Sequence, residues 1–227
     1  MRRFVRVAWL IMRKDLTVEA RSRELLFTTL FFAMSIVLVF AFGFVRDGRP
    51  VENAAAGILW IAIAFAGTLA LGRTFERERY HDVLHALLLA PVDRPAIYVG
   101  KLLGILALLA TVEAIVVPLI ALMFQAPLFR HPVLAVALLA LGTTGFAAVG
   151  TLFAAMLVRA RSRDVLLPVL LYPITIPVII AGVRGTAALL QPDADLAMAR
   201  MWIGMLGFFD VVFLTLSLWT FEPVMTE

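Results

Sequence analysis

Residues 133–158, VLAVALLALGTTGFAAVGTLFAAMLV, contain no charged side chain. A helix that crosses the hydrocarbon core of a bilayer needs about 20 consecutive and mostly apolar residues. Other stretches of the chain meet the same criterion, namely residues 25–45, 54–72, 102–123, 165–183 and 203–221. The sequence therefore predicts an all-α membrane protein with six transmembrane helices, organised as a single domain over residues 1–227.

The composition supports a membrane location. Of the 227 residues, 63% are hydrophobic and the mean hydropathy is +0.99, whereas soluble domains average about 45–50% apolar residues. The chain has no cysteine, which excludes disulfides, thiolate metal sites and covalent haem attachment through a CxxCH motif.

The basic residues predict the orientation of the chain. Of the 20 Lys and Arg residues, fifteen fall in residues 1–24, 73–101 and 159–164. Cytoplasmic connections carry an excess of Lys and Arg, so these three segments are predicted to be cytoplasmic. Six spans return the C-terminus to the same side. The net charge of +4 is attributed to these basic cytoplasmic connections rather than to nucleic-acid binding.

The N-terminal segment mixes apolar and basic residues. Apolar side chains fall on one helical face, and the arginines lie largely elsewhere; the apolar residues are Phe4, Val7, Leu10 and Ile11. This pattern predicts a helix in the membrane interface, with Trp9 at the headgroup level. The alternative is an ordinary basic lead-in to the first span.

The connection between the second and third spans, residues 73–101, contains FERERYHDVLHALLLAPVDRP at residues 75–95. An apolar stripe at helical spacing starts at Tyr80, the first turns are charged, and Pro91 and Pro95 end the helix. A helix that rests on lipid usually has a basic polar face. Here the two signs of charge are mixed, which favours docking on a protein surface; resting on the inner leaflet stays the alternative.

Two features inside the spans require explanation. The fifth span contains Pro168, Pro173 and Pro177, which predict a kinked helix that is either static or bends during a transport cycle. Glu113 and Asp210 lie within the third and sixth spans, where charged groups are costly and often functional. They are expected to bond to residues such as Thr111, Thr175 or Tyr172, to line a polar cavity, or to bind a proton.

Other patterns are weak as signals of function. Gly100-Lys101 lacks the rest of a P-loop, so any ATPase must be another chain, although Gly100 and Gly104 form a GxxxG that permits close helix packing. A small-residue stripe in the fourth span packs within the chain or against a second copy; it comprises Thr143, Ala147, Thr151 and Ala155.

Metal and haem ligands are not assigned to this chain. His81 and His85 are four residues apart, but two ligands without cysteine make a poor metal site. His131 is a lone histidine in a connection, and no Trp-rich loop is present. The tryptophans are scattered near predicted span ends, at Trp9, Trp60, Trp202 and Trp219.

Three blocks together resemble the CcmB family, the heme exporter protein B subunits of the cytochrome c maturation system. They are KDLTVEARSRELL (14–26), FERERYHDVLHALLLAPVDRPAIYVGKLLG (75–104) and RDVLLPVLLYPITIPVIIAG (163–182). The resemblance implies a six-span permease of the ABC-2, type V exporter-like class. It also implies a coupling helix after the second span that touches the ATPase. That role falls on Glu76, Arg77, Glu78, Arg79, His81, Asp82 and His85.

The resemblance further implies a homodimer in the bacterial inner membrane that assembles with an ATPase subunit (CcmA-like), a haem-handling membrane subunit (CcmC-like) and a small single-span subunit (CcmD-like). The chain is then not itself an enzyme and binds no cofactor directly: ATP belongs to the partner, and haem is the cargo of the complex. ATP hydrolysis would drive haem export or the release of a haem-loaded chaperone. The alternatives are a generic ABC-2 permease for lipid or drug, and a proton-coupled carrier that uses Glu113 and Asp210.

Overall fold

The computed structural model describes residues 2–43, 45–46, 49–50, 54–75, 93–158, 160 and 162–226. Its helices are α1 (Arg2–Ser22), α2 (Glu24–Gly43), α3 (Ala55–Arg73), α4 (Arg94–Met123), α5 (Pro132–Met156), α6 (Arg163–Leu190) and α7 (Leu196–Thr226). Between α2 and α3, β1 (Val45–Arg46) and β2 (Arg49–Pro50) form a short antiparallel ladder.

The helices α2 to α7 are each long and apolar enough to cross a membrane, so the predicted all-α architecture with six spans is confirmed. Three of the helices are longer than the apolar pattern predicted, and one of them, α7, spans Leu196–Thr226 rather than residues 203–221. The helix α4 begins at Arg94 rather than at residue 102, and α6 ends at Leu190 rather than at residue 183. Pro95 ends the preceding pattern but also suits the first turn of α4, where its missing N–H is not needed.

Polar contacts define the two ends of the bundle. At one end, Glu24 at the start of α2 pairs with Arg73 at the end of α3 (3.1 Å), and Arg94 pairs with Glu222 of α7 (3.7 Å). This end contains the starts of α2, α4 and α6 and the ends of α3, α5 and α7. We call it the basic end. At the opposite end, Arg130 donates to the carbonyl of Pro192 (2.7 Å).

The helix α5 lies at the centre and contacts α3, α4, α6 and α7. Its small side chains allow neighbours to pack on several sides. The predicted small-residue stripe is buried in this chain at all its positions, Thr143, Ala147, Thr151 and Ala155. The stripe therefore packs within the chain.

The helix α1 is separate from the six spans and lies against α4. It is divided from α2 by Arg23, whose φ of 55° is in the left-handed region that L-residues adopt at a cost. The face of α1 that meets α4 includes the buried Ala8. Leu10, predicted on the apolar face, is 51% exposed, and Trp9 is also exposed. The other residues of the predicted apolar face, Phe4, Val7 and Ile11, are partly buried, so the inward face largely coincides with the predicted stripe.

Candidate functional site

The predicted ATPase-coupling residues lie outside the described part of the chain; they are Glu76, Arg77, Glu78, Arg79, His81, Asp82 and His85. Both borders of that segment are described. Residues Thr74 and Phe75 follow α3, and Asp93 precedes α4. The site can therefore be built from the residues that hold the two borders.

Lys101 of α4 lies next to Thr74 and Phe75, where that segment begins. Its side chain is only 2% exposed, and its Nζ is 3.0 Å from Oδ2 of Asp15 in α1. The same Nζ donates to the carbonyl oxygen of Thr74 (3.0 Å) and lies 5.2 Å from the ring centroid of Phe75. One ammonium thus links α1, the exit from α3 and the first part of α4, a group that we call the Lys101 junction.

The GxxxG motif explains how α1 comes so close to α4. An ideal Cβ at Gly100 would lie 2.8 Å from the carbonyl oxygen of Ala8 and 2.8 Å from Cβ of Ile11, and one at Gly104 would lie 3.7 Å from Cβ of Asp15. Because contacts under 3.0 Å are not tolerated, only glycine fits at position 100. The predicted close packing is present, and the neighbour is α1.

Further polar contacts surround the Lys101 junction. Oε1 of Glu19 in α1 accepts from the backbone N–H of Leu26 (2.8 Å), which satisfies a donor in the first turn of α2. Exposed ion pairs such as Glu24–Arg73 contribute only about 0–1 kcal/mol each. A buried pair differs, because removing one partner leaves an uncompensated charge. Loss of Lys101 or Asp15 is therefore expected to destabilise this end of the bundle.

Gly100-Lys101 lies before the predicted third span, and no role was predicted for Lys101 or Asp15. The sequence signal that could have identified this contact is a lysine inside a GxxxG motif. A glycine that allows a neighbouring helix to approach also brings that helix close to the adjacent side chain.

The predicted acids both contact α5. The hydroxyl of Thr143 donates to Oε1 of the partly buried Glu113. A threonine partner was predicted, but Thr111 and Thr175 instead bond within their own helices, to Ala107 and Leu171.

Asp210 lies against a different side of α5. It is 5% exposed, and an ideal Cβ at Gly145 would lie 2.6 Å from its Oδ1. Among the described residues, neither carboxylate oxygen of Asp210 has a hydrogen-bond partner. Thr143 and Gly145 are two positions apart, so they point about 200° apart around the helix. The structure therefore does not bring the two acids together, because α5 separates them.

The predicted kink residues all lie inside α6, which continues through Pro168, Pro173 and Pro177. The hydroxyl of Thr175 donates to the carbonyl of Leu171 (2.9 Å), a type of contact that often bends helices. The hydroxyl of Tyr172 accepts from Thr68 of α3 (3.2 Å). The contact with Thr68 gives α6 a polar attachment to its neighbour α3, while the predicted kink of α6 stays a prediction.

Replacing Pro173 by alanine is expected to stabilise the protein and slow transport. The substitution supplies the missing backbone N–H of an exposed helix position, where proline costs about 3 kcal/mol relative to alanine. A straighter α6 should resist bending. Thermal unfolding in detergent measures the first effect, and cytochrome c maturation in cells, the process that the CcmB resemblance implies, measures the second.

Pro118→Ala is the matched control, since Pro118 is also an exposed proline inside a long helix, α4. It should stabilise to a similar degree without slowing transport. Equal transport by the Pro173→Ala variant and the unmodified protein would contradict a bending role.

The candidate haem and metal ligands stay unassigned. His131 precedes α5, where its carbonyl accepts from the N–H of Ala135 (3.0 Å). Within the described ranges, no three His, Cys, Asp or Glu residues are grouped in a way that could hold a metal ion.

Comparison with known proteins gives consistent results. Residues 6–225 match the family described as "CcmB protein". "Heme exporter protein B" of Rhodobacter capsulatus is 30% identical over 191 residues, which cover 83% of this chain and 87% of that protein. The Pseudomonas aeruginosa protein of the same name is 29% identical, with 80% and 81% covered. The Haemophilus influenzae protein is 25% identical, with 75% and 76% covered.

Proposed function

This chain belongs to the CcmB family, and we propose that it is the membrane permease subunit of an ABC transporter complex for haem export in cytochrome c maturation. The observation that carries the proposal is the family match over residues 6–225, together with six helices of transmembrane length. The three relatives named above are each called a heme exporter protein.

ATP hydrolysis belongs to a separate CcmA-like chain. The only Gly-Lys pair of this sequence, Gly100-Lys101, lacks the remaining P-loop residues that would bind phosphates. The mixed charges of residues 76–82 suit the docking of that chain, and the adjoining Lys101 junction would anchor the docking segment to the bundle.

The basic end faces the cytoplasm in this proposal, with both termini on that side of the bacterial inner membrane. It contains most of the Lys and Arg residues, as cytoplasmic connections do. The permease acts as a dimer with the CcmA-like ATPase, a CcmC-like haem-handling subunit and a CcmD-like single-span subunit. Haem is the cargo of the complex. ATP hydrolysis drives either its export or, as we favour, release of a haem-loaded chaperone.

The test is purification of the tagged chain in mild detergent, followed by mass spectrometry of every stoichiometric partner. An ATPase and a haem-handling membrane protein are expected. An ATPase alone would retain the permease and remove the haem assignment, leaving a generic ABC-2 permease. No stoichiometric partner would contradict the proposal and favour a proton-driven carrier.

Replacing Asp210 by asparagine is expected to leave cytochrome c maturation unchanged. Neither oxygen of Asp210 accepts a hydrogen bond from a described residue, so the isosteric amide breaks no contact. It also removes a group that would cost about 2.5–3.5 kcal/mol if ionised at mid-bilayer. Maturation is measured by the haem staining of c-type cytochromes in cells.

Glu113→Gln is the companion variant, since its amide oxygen can still accept from Thr143. A proton-coupled carrier requires carboxylates that exchange protons, so loss of activity in either variant, with normal amounts of protein in the membrane, would speak against ATP-driven coupling.

A further inference from the structure

The acidic side chains of α1 lie on the side of the helix that faces the bundle. Asp15 and Glu19 are seven and eleven positions after the buried Ala8, so at about 100° per residue they share the side of Ala8. Both bond to other helices: Asp15 pairs with Lys101 (3.0 Å), and Glu19 accepts from the backbone N–H of Leu26 (2.8 Å). These two are the only acidic residues of α1, so its negative charges all face inward.

Three arginines of α1 lie on the opposite side. Arg6 is two positions before Ala8, and Arg13 and Arg21 are five and thirteen positions after it. Each of them therefore lies within about 40° of the direction that points away from Ala8. All three side chains are exposed. We call this surface the arginine face; it carries one sign of charge, because both acids of the helix are turned inward.

Large apolar side chains are exposed beside these arginines. Leu10 lies between Arg6 and Arg13 on the arginine face and is 51% exposed. Val5 and Trp9 lie on its flank and are 60% and 57% exposed. Exposed arginines next to apolar residues and a tryptophan are typical of a helix that lies in a membrane interface.

The contact between α1 and α4 places the arginine face at the border of the membrane. Ala8 lies over Gly100, and Asp15 lies next to Gly104. The uncharged stretch of α4, residues 102–112, begins within this contact. Because the hydrocarbon core surrounds uncharged stretches of a spanning helix, the lipid headgroups are at the level of α1.

We propose that the arginine face binds the headgroups of anionic phospholipids at the basic end of the bundle. An anionic leaflet attracts each basic side chain near its surface, and the exposed apolar neighbours insert at the boundary between headgroups and acyl chains. A protein surface suits this face less well, because docking on protein uses complementary charges to fix the register and the arginine face offers only one sign. The inference goes beyond the proposed function and does not depend on an ATPase.

The test reports lipid contact at a single site on the arginine face. The chain has no cysteine, so Thr17→Cys, at an exposed position one turn from both Arg13 and Arg21, carries one fluorescent probe. The labelled full-length chain is placed in nanodiscs that contain phosphatidylcholine and phosphatidylglycerol in equal amounts. Quenching of the probe is compared when one lipid or the other has brominated acyl chains, and the measurement is repeated on the assembled complex.

Brominated phosphatidylglycerol is expected to quench the probe about fivefold more strongly than brominated phosphatidylcholine, which is the preference that one arginine near an anionic surface provides. Glutamine at the three positions of the arginine face should abolish this preference, and lysine at the same positions should retain it. The matched control removes the same charge from exposed arginines at or near the opposite end, and it should keep the full preference; its substitutions are Arg130→Gln, Arg184→Gln and Arg200→Gln.

The outcomes decide between lipid and protein as the occupant of the arginine face. Equal quenching by the two lipids in the unmodified chain would overturn the inference, as would an undiminished preference in the glutamine variant. A preference that is present in the chain alone but absent from the assembled complex would assign the face to a protein subunit and overturn it as well. Because the three arginines point away from the bundle, the thermal unfolding midpoint in detergent should be the same in the glutamine and lysine variants.

Discussion

Exchanging the signs of the four charges at Glu76, Arg77, Glu78 and Arg79 is expected to abolish recovery of the ATPase subunit, while the chain still inserts in the membrane. The variant carries arginine at the acidic positions and glutamate at the basic ones, so its net charge is unchanged. Complementary charges that fixed the docking register would then become like-charge contacts, which cost several kcal/mol. At about 1.4 kcal/mol per tenfold, binding falls below detection in a detergent pull-down.

The unchanged net charge distinguishes docking on protein from resting on lipid. Attraction to an anionic membrane depends on the number of Lys and Arg residues near the surface, and the exchange conserves that number. A helix that only rests on the inner leaflet would therefore tolerate the variant.

Asp193→Arg combined with Arg200→Asp is the matched control for this exchange. Both side chains are exposed, the net charge is again conserved, and Asp193 lies in the connection that Arg130 contacts at the opposite end. The control should recover the ATPase at the level of the unmodified chain. The same level in the Glu76–Arg79 variant would remove the docking assignment and restore the lipid-resting alternative.

The six spans could be predicted because hydrophobicity is a local property that a window of sequence contains in full. The bounds of the spans could not, since an apolar window ends at the first charge. Arg184 is exposed on α6 and continues the helix, whereas Lys101 continues α4 because a distant carboxylate compensates its charge. A charged residue ends the apolar pattern without ending the helix.

The contacts of the Lys101 junction could not be predicted from a local sequence pattern. Gly100 and Gly104 predicted a close neighbour but not which helix supplies it. Asp15 and Thr74 are recognisable as partners only once α1 and α3 are known to meet α4 at one end. The same holds for Glu113, whose threonine partner lies 30 residues away in α5.

Trp60 is the clearest difference between sequence and structure. It was grouped with tryptophans near predicted span ends, the usual belt position, but it is 2% exposed. Its indole lies directly against Gly142 of α5 and Gly182 of α6, and its Nε1–H donates to Thr186 (3.0 Å), 126 residues further along the chain. Trp60 fits between α5 and α6 because Gly142 and Gly182 have no side chain. The sequence pattern around Trp60 does not indicate these two distant glycines.

Replacing Gly182 by alanine is expected to destabilise the bundle by about 3 kcal/mol, because overpacking a filled site forces backbone shifts. The added Cβ would meet the indole of Trp60, which also lies against Gly142 and is held by a hydrogen bond to Thr186. Gly204→Ala makes the same change in α7, where nothing lies within 4 Å of the added atom. That control should be neutral or gain up to about 1 kcal/mol from helix propensity. Thermal unfolding in detergent should therefore show a lower midpoint for Gly182→Ala and an unchanged or higher midpoint for Gly204→Ala. Equal shifts would mean that Trp60 is not enclosed between α5 and α6.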